Sequence, residues 1–359
     1  IQDYADETYP NTNPGLVVIT GKVSEEIRKF SRLALWRTIP IKLAQRIIER
    51  YKLTHFTLGN SRGLVGALSA VGNTLDKDYT FEYLTYRRMD QSGRRGVNVE
   101  SVIEMDRIMG DRVFSNLDDE NRIMIEPHGP DPVLYGIRGE SAKDVIEAAS
   151  LVKSTQNIER WMVFRTNQAT GEHLSYQVRI KDLRPYMAAV VRGFVDQSPR
   201  IFEGGFVVFG IKDDTSRIDC AVYEPTRQFR DIAANLHKDD EIKVHASVRP
   251  KSRTHGLTLN LEGLEILYLA PDIQLHNPIC PHCMKRMKSA GTRKGFKCAK
   301  CGHRDPEGKK VENQLERRIS TGLFLPPLSA QRHLTRPFLR LNMNNAGNPV
   351  DLVDIWHNP

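Results

Sequence analysis

The sequence predicts an α+β protein of several domains: a ferredoxin-like domain, an OB-fold β-barrel and a zinc ribbon. Three observations carry that expectation. Two Cys-x-x-Cys knuckles, Cys280-Pro281-His282-Cys283 and Cys298-Ala299-Lys300-Cys301, frame residues 284–297. Ahead of them, strand-like segments alternate with turns and hold one helix-like segment between the third and fourth strands. Further upstream the order is strand, helix, strand, strand, helix, strand. At 359 residues the chain is also longer than one hydrophobic core comfortably serves.

Taken in order, Ile1-Gln2-Asp3-Tyr4 lacks an initiator methionine and runs into a polar stretch, so a portion upstream is expected. Ile27, Phe30, Leu33, Leu35, Ile41, Leu43, Ile47 and Ile48 recur near helical spacing, and Pro40 marks a break between two helices. These residues close a first region, 1–54. The ferredoxin-like order is then assigned to 55–178. It takes a strand near His55 to Leu58, the small-residue run Gly59 to Gly72, a strand from Tyr79 to Tyr86 and, after a polar insertion, a strand from Pro132 to Gly139. A helix from Ala142 to Val152 and a strand from Trp161 to Arg165 complete it.

Residues 179–270 are assigned to the OB-fold. Strands are expected at Ala188 to Phe194, Gly205 to Lys212, Arg217 to Tyr223, Glu241 to Val248 and Leu257 to Tyr268, with a helix at Phe229 to Leu236. The zinc ribbon occupies 271–308. Four thiolates at this spacing suit tetrahedral zinc, whereas two disulfides would require an oxidising compartment, and only Cys220 is left over. Residues 309–359 form a basic arm expected to lie over the other domains, then a frayed tail.

Several positions are candidates for binding. In the Gly59 to Gly72 run, Arg62, Gly63 and Gly66 fit either an anion-holding turn at a helix start or close helix packing, and no Gly-Lys-Ser/Thr makes it a Walker loop. Gly136, Arg138, Gly139 and Glu140 sit at a strand-to-helix turn that Ser141 would cap, and Asn167 closes the last strand of the same unit. In the barrel, Arg227 precedes the helix, and Arg249, Lys251, Arg253 and His255 crowd the last inter-strand loop. The knuckle span carries Arg293 and Lys294 among other cations, with no acidic residue between Asp272 and Asp305, and the arm adds Arg332 and His333. Such surfaces suit a nucleic-acid backbone. Cys220 reads as a buried small hydrophobe; Phe206, Phe209 and Tyr223 fit base stacking or core packing equally.

The net charge of +8 is moderate and fits a localised phosphate-binding face. No apolar run reaches membrane-span length, and a cytoplasmic location is expected. Neither Ser-His-Asp nor His-Glu-x-x-His signatures occur. The residues alone therefore give a nucleic-acid binder with an unassigned small-molecule pocket, and a non-enzymatic single-strand binder remains an alternative.

The ordered motifs add a resemblance. Thr12-Asn13-Pro14-Gly15, Arg62-Gly63-Leu64-Val65-Gly66-Ala67-Leu68, Val133 to Ser141, Glu224 to Arg230, Asn277-Pro278-Ile279-Cys280-Pro281 and Arg332-His333-Leu334 are similar to stretches of the archaeal isoleucine-tRNA 2-agmatinylcytidine (agmatidine) synthetases. The resemblance implies an ATP-dependent RNA-modifying ligase. It would phosphorylate the carbon-2 oxygen of the wobble cytidine in isoleucine tRNA with anticodon CAU and let agmatine displace that phosphate, with ATP converted to AMP and pyrophosphate products. Site roles follow from it: agmatine or ATP at Arg62, Gly63, Gly66, Gly136, Arg138, Gly139, Glu140 and Asn167, with Glu140 on the agmatine guanidinium. Arg227, Arg249, Lys251, Arg253, Arg293, Lys294, Arg332 and His333 would face tRNA, and Cys280, Cys283, Cys298 and Cys301 would hold structural zinc. The family begins with a kinase-like domain whose Asp-rich turn handles magnesium and ATP. Residues 1–54 resemble only its last part, so the phosphoryl-transfer residues are expected upstream of Ile1, and residues 1–359 by themselves are expected to bind tRNA without completing the reaction. Ser61 stands where the family usually has glycine.

Overall fold

The computed structural model describes residues 13–88, 95–127, 132–349 and 352–358; Thr12 and the start of the first region lie outside the described residues. The described residues form separate hydrophobic cores, one for each unit. The first is built from β1 (Gly15–Val18), α1 (Glu25–Ala34), α2 (Ile41–Arg50), β2 (Thr54–Thr57) and α3 (Gly63–Gly72). Ser24 caps α1 by accepting from the Ile27 amide at 3.4 Å, and Pro40 sits just before α2, where its missing N–H does no harm. Ile27, Phe30, Ile47 and Ile48 are buried, as their spacing requires.

The pairing divides the elements of residues 55–178 between two hydrophobic cores. Strand β2 pairs with β1, antiparallel, and α3 packs on α1, so neither belongs to the four-stranded unit. That unit consists of β3 (Thr80–Tyr86), α4 (Val99–Met109), β4 (Val113–Phe114), β5 (Val133–Gly139), α5 (Ala142–Leu151) and β6 (Arg160–Thr166). Its sheet runs β4-β5-β3-β6, with every neighbour antiparallel. The polar insertion between β3 and β5 thus supplies a helix and an edge strand. They were hidden because α4 buries Val102, Met105 and Met109 yet exposes Val99, Ile103 and Ile108, which blurs the helical stripe. The strand is only Val113–Phe114.

The next unit is a closed barrel of β7 (Ala188–Ile201), β8 (Val207–Lys212), β9 (Arg217–Val222), β10 (Glu241–Arg249) and β11 (Thr258–Tyr268), with α6 (Gln228–Ala234) between the third and fourth strands. Closure comes from β11, which pairs parallel with β9 and antiparallel with β10, while β10 returns to β7. Cys220 is fully buried inside, and burial pushes its thiol up; Phe209 is core, whereas Phe206 stacks on exposed Phe202 with Tyr223 beside it.

Strand β12 (Asp272–His276) leads out to the ribbon, which holds β13 (Lys288–Ser289), β14 (Phe296–Lys297) and β15 (Arg304–Asp305), and β16 (Val311–Leu315) leads back paired with β12. The arm then adds β17 (Gly322–Phe324) to β11 and crosses to the four-stranded sheet. The tail is not frayed. The Val163 amide donates to Trp356 O at 2.8 Å and His357 bridges Met162, because the outer edge of β6 offers backbone groups that need partners. No helix among the described residues is long and apolar enough to cross a membrane.

Candidate functional site

A cavity of about 910 Å³ lies where the first unit, the barrel and the arm meet, lined among others by Trp36, Arg37, Arg62, His173, Tyr186, Ser247 and Arg332. Arg62 stands at the start of α3, on a turn fixed from both sides: Asn60 accepts from the Arg62 amide at 3.1 Å, and Asn13 accepts from the Asn60 amide at 2.8 Å. Gly63 allows this. A Cβ there would stand 2.1 Å from the Asn13 carbonyl oxygen, so the glycine is needed for packing of backbone on backbone. Gly72 likewise lets α3 approach Ile27, whereas Gly66 faces open space beside Asn167 in a smaller cavity of about 290 Å³. The run therefore serves packing at Gly63 and Gly72 and leaves Gly66 free to border a ligand.

Arg332 reaches the same cavity from the arm. Its Nε lies 3.2 Å from Glu262 Oε1 and its terminal nitrogen donates to Ser247 Oγ at 3.0 Å. Glu262, 6% exposed, also meets His173 Nε2 at 3.1 Å, so one buried carboxylate of β11 orients a guanidinium and an imidazole. Trp36 is held by stacking on Tyr176 at 4.7 Å, and Tyr186 is exposed. Guanidinium forks beside aromatic faces suit phosphate and base together. Sequence reasoning missed Trp36, His173, Tyr186 and Glu262, because nothing local to each of them marks where they converge.

The second turn is organised differently. Ser141 caps α5, accepting from the Asp144 amide at 3.1 Å, and Gly136 and Gly139 admit Leu84 and the Arg112 carbonyl at close range. Arg138 donates to Glu82 at 3.1 Å and lies 2.8 Å from His333 Nδ1; burial first, and that guanidinium second, hold the His333 pKa below the usual value. Glu140 is not available to a ligand guanidinium. Arg340, fully buried, donates to it at 2.5 Å and to Asp78 at 3.1 Å, and Asn345 adds a bond at 3.0 Å, so the chain supplies its own guanidinium there.

Of the cations expected to face tRNA, Arg249 at the end of β10 and Lys251 and Arg253 on the β10–β11 loop are exposed and make no ion pair among the described residues. Arg293 and Lys294 lie at the exposed tip between β13 and β14. Arg227 instead pairs with Glu120 of the four-stranded unit. In the ribbon, the Sγ atoms of Cys280, Cys283, Cys298 and Cys301 all lie within 4.8 Å of one another, a donor set that fits tetrahedral zinc. The Cys301 and Lys300 amides turned toward Cys298 help to hold its thiol down to about 6.

Comparison with known proteins places these features in a family. Residues 61–173 match the profile described as the TiaS FLD domain, and residues 277–319 match the TiaS C-terminal zinc ribbon domain. The chain is 38% identical over 98% of its length to TiaS of Staphylothermus marinus, an isoleucine-tRNA 2-agmatinylcytidine synthetase, and covers 78% of that protein. For the Methanosarcina mazei synthetase the identity is 39% over 95% of this chain and 80% of the relative. The solved complex of TiaS with its isoleucine tRNA and ATP superposes with a TM-score of 0.81 at 35% identity, over 96% of this chain and 78% of that one. The complex of TiaS with the same tRNA, AMPCPP and agmatine gives 0.79 at 34%, over 94% and 78%. The chain belongs to the TiaS family of isoleucine-tRNA 2-agmatinylcytidine synthetases.

Proposed function

We propose that this protein catalyses the reaction of its family, the ATP-dependent joining of agmatine to carbon 2 of the wobble cytidine in isoleucine tRNA with anticodon CAU. It is a carbon–nitrogen ligase whose partners are that tRNA, agmatine and ATP. The chemistry explains the need for ATP: the oxygen on carbon 2 leaves poorly until a phosphoryl group is placed on it. The agmatine primary amine then forms the new C–N bond as the phosphate departs. Magnesium is expected with the ATP.

The observation that carries the site assignment is the convergence of Arg62 and Arg332 on one cavity bordered by Trp36 and Tyr186. In this reading the cavity takes the phosphate-bearing nucleotide, with Gly66 and Asn167 at its neighbouring edge. Arg249, Lys251 and Arg253, with Arg293 and Lys294 of the ribbon, contact the tRNA backbone from outside. The four-stranded unit is read as ferredoxin-like, from its β3, α4, β4, β5, α5, β6 order, and the barrel as an OB-fold, from its strand order and the position of α6. Zinc is structural, since four thiolates leave no open position.

The test is incubation with labelled agmatine, ATP, magnesium and unmodified isoleucine tRNA. Label at the wobble cytidine is the expected outcome for the full-length protein. A chain that bound the tRNA but neither bound agmatine nor transferred it would be the non-enzymatic binder instead.

A further inference from the structure

We infer that Arg138 and Glu262 are positioning residues for the proposed reaction: from two different units they fix the arm at Arg332 and His333, so that the Arg332 guanidinium stands in the junction cavity where the nucleotide phosphate would lie. The inference rests on that cavity taking the nucleotide. Arginines tie the arm to its neighbours, and their surroundings separate them by role. Arg340, fully buried, is held by both Asp78 and Glu140, and the Arg138 side chain, 20% exposed, by Glu82. The Arg332 side chain stays 53% exposed, although its carboxylate partner Glu262 is buried. A guanidinium enclosed between two carboxylates has few donors left for a ligand. One held from behind by a single carboxylate keeps part of its fork free for a phosphate.

The fixing comes from two sides. In the barrel, Glu262 of β11 and Ser247 of β10 take the two edges of the Arg332 fork, and His173 steadies the other Glu262 oxygen from 3.1 Å. In the four-stranded unit a relay of side chains ends on the next residue of the arm. Gln168 donates to Glu82 Oε2 at 2.7 Å, Arg138 Nε donates to Glu82 Oε1 at 3.1 Å, and Arg138 Nη2 lies 2.8 Å from His333 Nδ1. A guanidinium can only donate, so His333 Nδ1 accepts and the ring is neutral. The Ala169 amide donates to His333 O and the Gly171 amide to Leu334 O, both at 2.8 Å, which pins the backbone as well as the ring. Neither Arg138 nor Glu262 lines the junction cavity, so each acts there through Arg332. Ordering a long side chain opposes binding, and these contacts order Arg332 before the nucleotide arrives.

The full-length protein is assayed for transfer of labelled agmatine with Arg332→Met, Glu262→Gln, Arg138→Gln and His333→Leu, each of the last three also combined with Arg332→Met, and every variant is checked by thermal melting. Arg332→Met is expected to raise the KM for tRNA about thirtyfold and to leave the KM for agmatine unchanged. Each of the other three should raise the tRNA KM about fivefold alone, and less than about twofold once Arg332 is already methionine. A merely structural role would reduce the active fraction, lowering kcat and moving neither KM. His333→Leu breaks the Arg138 contact from the exposed arm, so the test stands even if Arg138→Gln fails to fold. Full additivity with Arg332→Met, or a loss confined to kcat and melting temperature, overturns the inference. Arg332→Met without effect on the tRNA KM overturns it together with the placing of the nucleotide, while continued label transfer leaves the proposed reaction standing. The same cycle read as tRNA affinity by filter binding decides the inference in a protein that transfers no label, the outcome that rejects the proposed reaction itself.

Discussion

In the ribbon, four sulfurs within 4.8 Å of one another come from two tetrapeptides, and each knuckle presents its pair through local backbone alone. At the edge of the four-stranded sheet, Arg340 meets Asp78 and Glu140, which lie 262 and 200 residues away along the chain. Both centres gather charge out of water. The ribbon does so with a metal-ligand pattern written in consecutive residues, the sheet edge with partners that only the arm's path brings together. The ribbon's connection to the barrel is also slight, running through the β12–β16 ladder, whereas the arm is bonded along its length to the sheet and the Thr166–Gly171 turn. Damage to one centre should therefore stay local, and damage to the other should spread.

The largest effect is expected at the ribbon. Structural zinc contributes roughly 10–16 kcal/mol of apparent binding free energy, so Cys280→Ser or Cys298→Ser should abolish zinc content and unfold residues 277–319. Hydrogen exchange should show the barrel and the four-stranded unit still protected. Loss of protection throughout the chain would break the contrast between the two centres.

Next in size is Arg340→Met. Removing a fully buried guanidinium leaves Asp78 and Glu140 partly uncompensated, although Arg336 still pairs with Asp78. A loss of about 3–5 kcal/mol in urea unfolding is expected, with zinc content unchanged. Glu140→Gln should act in the same direction and more weakly, since Asn345 and the neutral amide can still bond. If that variant left stability untouched and weakened only agmatine binding, a structural role for Glu140 would fail.

What the sequence made legible follows the same division. Helices capped by Ser24 and broken at Pro40, the five barrel strands with α6 and the cysteine cluster all depend on residues near one another in the chain. Strand β2 was assigned to the wrong sheet because strand propensity says nothing of which edge a strand will join, and β4 is too short to carry any alternation. At the site, Arg62 and Arg332 were identifiable as cations but not as neighbours. Glu262 and His173, 89 residues apart, form the buried pair that holds Arg332, and no spacing rule reaches that far. Glu140 lies on its expected turn, and its partner Arg340 comes from 200 residues away, which no local pattern reports.

A smaller effect should appear with pH beside the Glu262 and His173 pair. Burial, the dominant cause, holds the His245 pKa below the usual histidine value, with Glu265, Lys243, His173 and Glu262 as the charged neighbours. The unfolded chain therefore takes up a proton first as pH falls through about 6.5, and stability declines from there down to the depressed folded value. Unfolding midpoints between pH 7.5 and 5.5 should fall with pH in the parent and fall less in His245→Gln. An equal slope in both would assign the pH dependence to other groups.

The smallest expected change tests the turn that aims Arg62. Ser61 has φ of 63°, in the left-handed region where a Cβ is disfavoured. Relief of that strain by Ser61→Gly is opposed by the greater freedom of glycine in the unfolded chain, so a net gain of only about 0.5 kcal/mol is expected. The informative comparison is with Ser61→Ala, which keeps the Cβ and removes only the hydroxyl. Backbone strain as the cause requires the glycine variant to be the more stable of the two, with agmatine transfer to tRNA retained because the Asn60 and Asn13 bonds that fix the turn do not involve the Ser61 side chain. A glycine variant no more stable than the alanine variant would mean that the serine at this position is not strained.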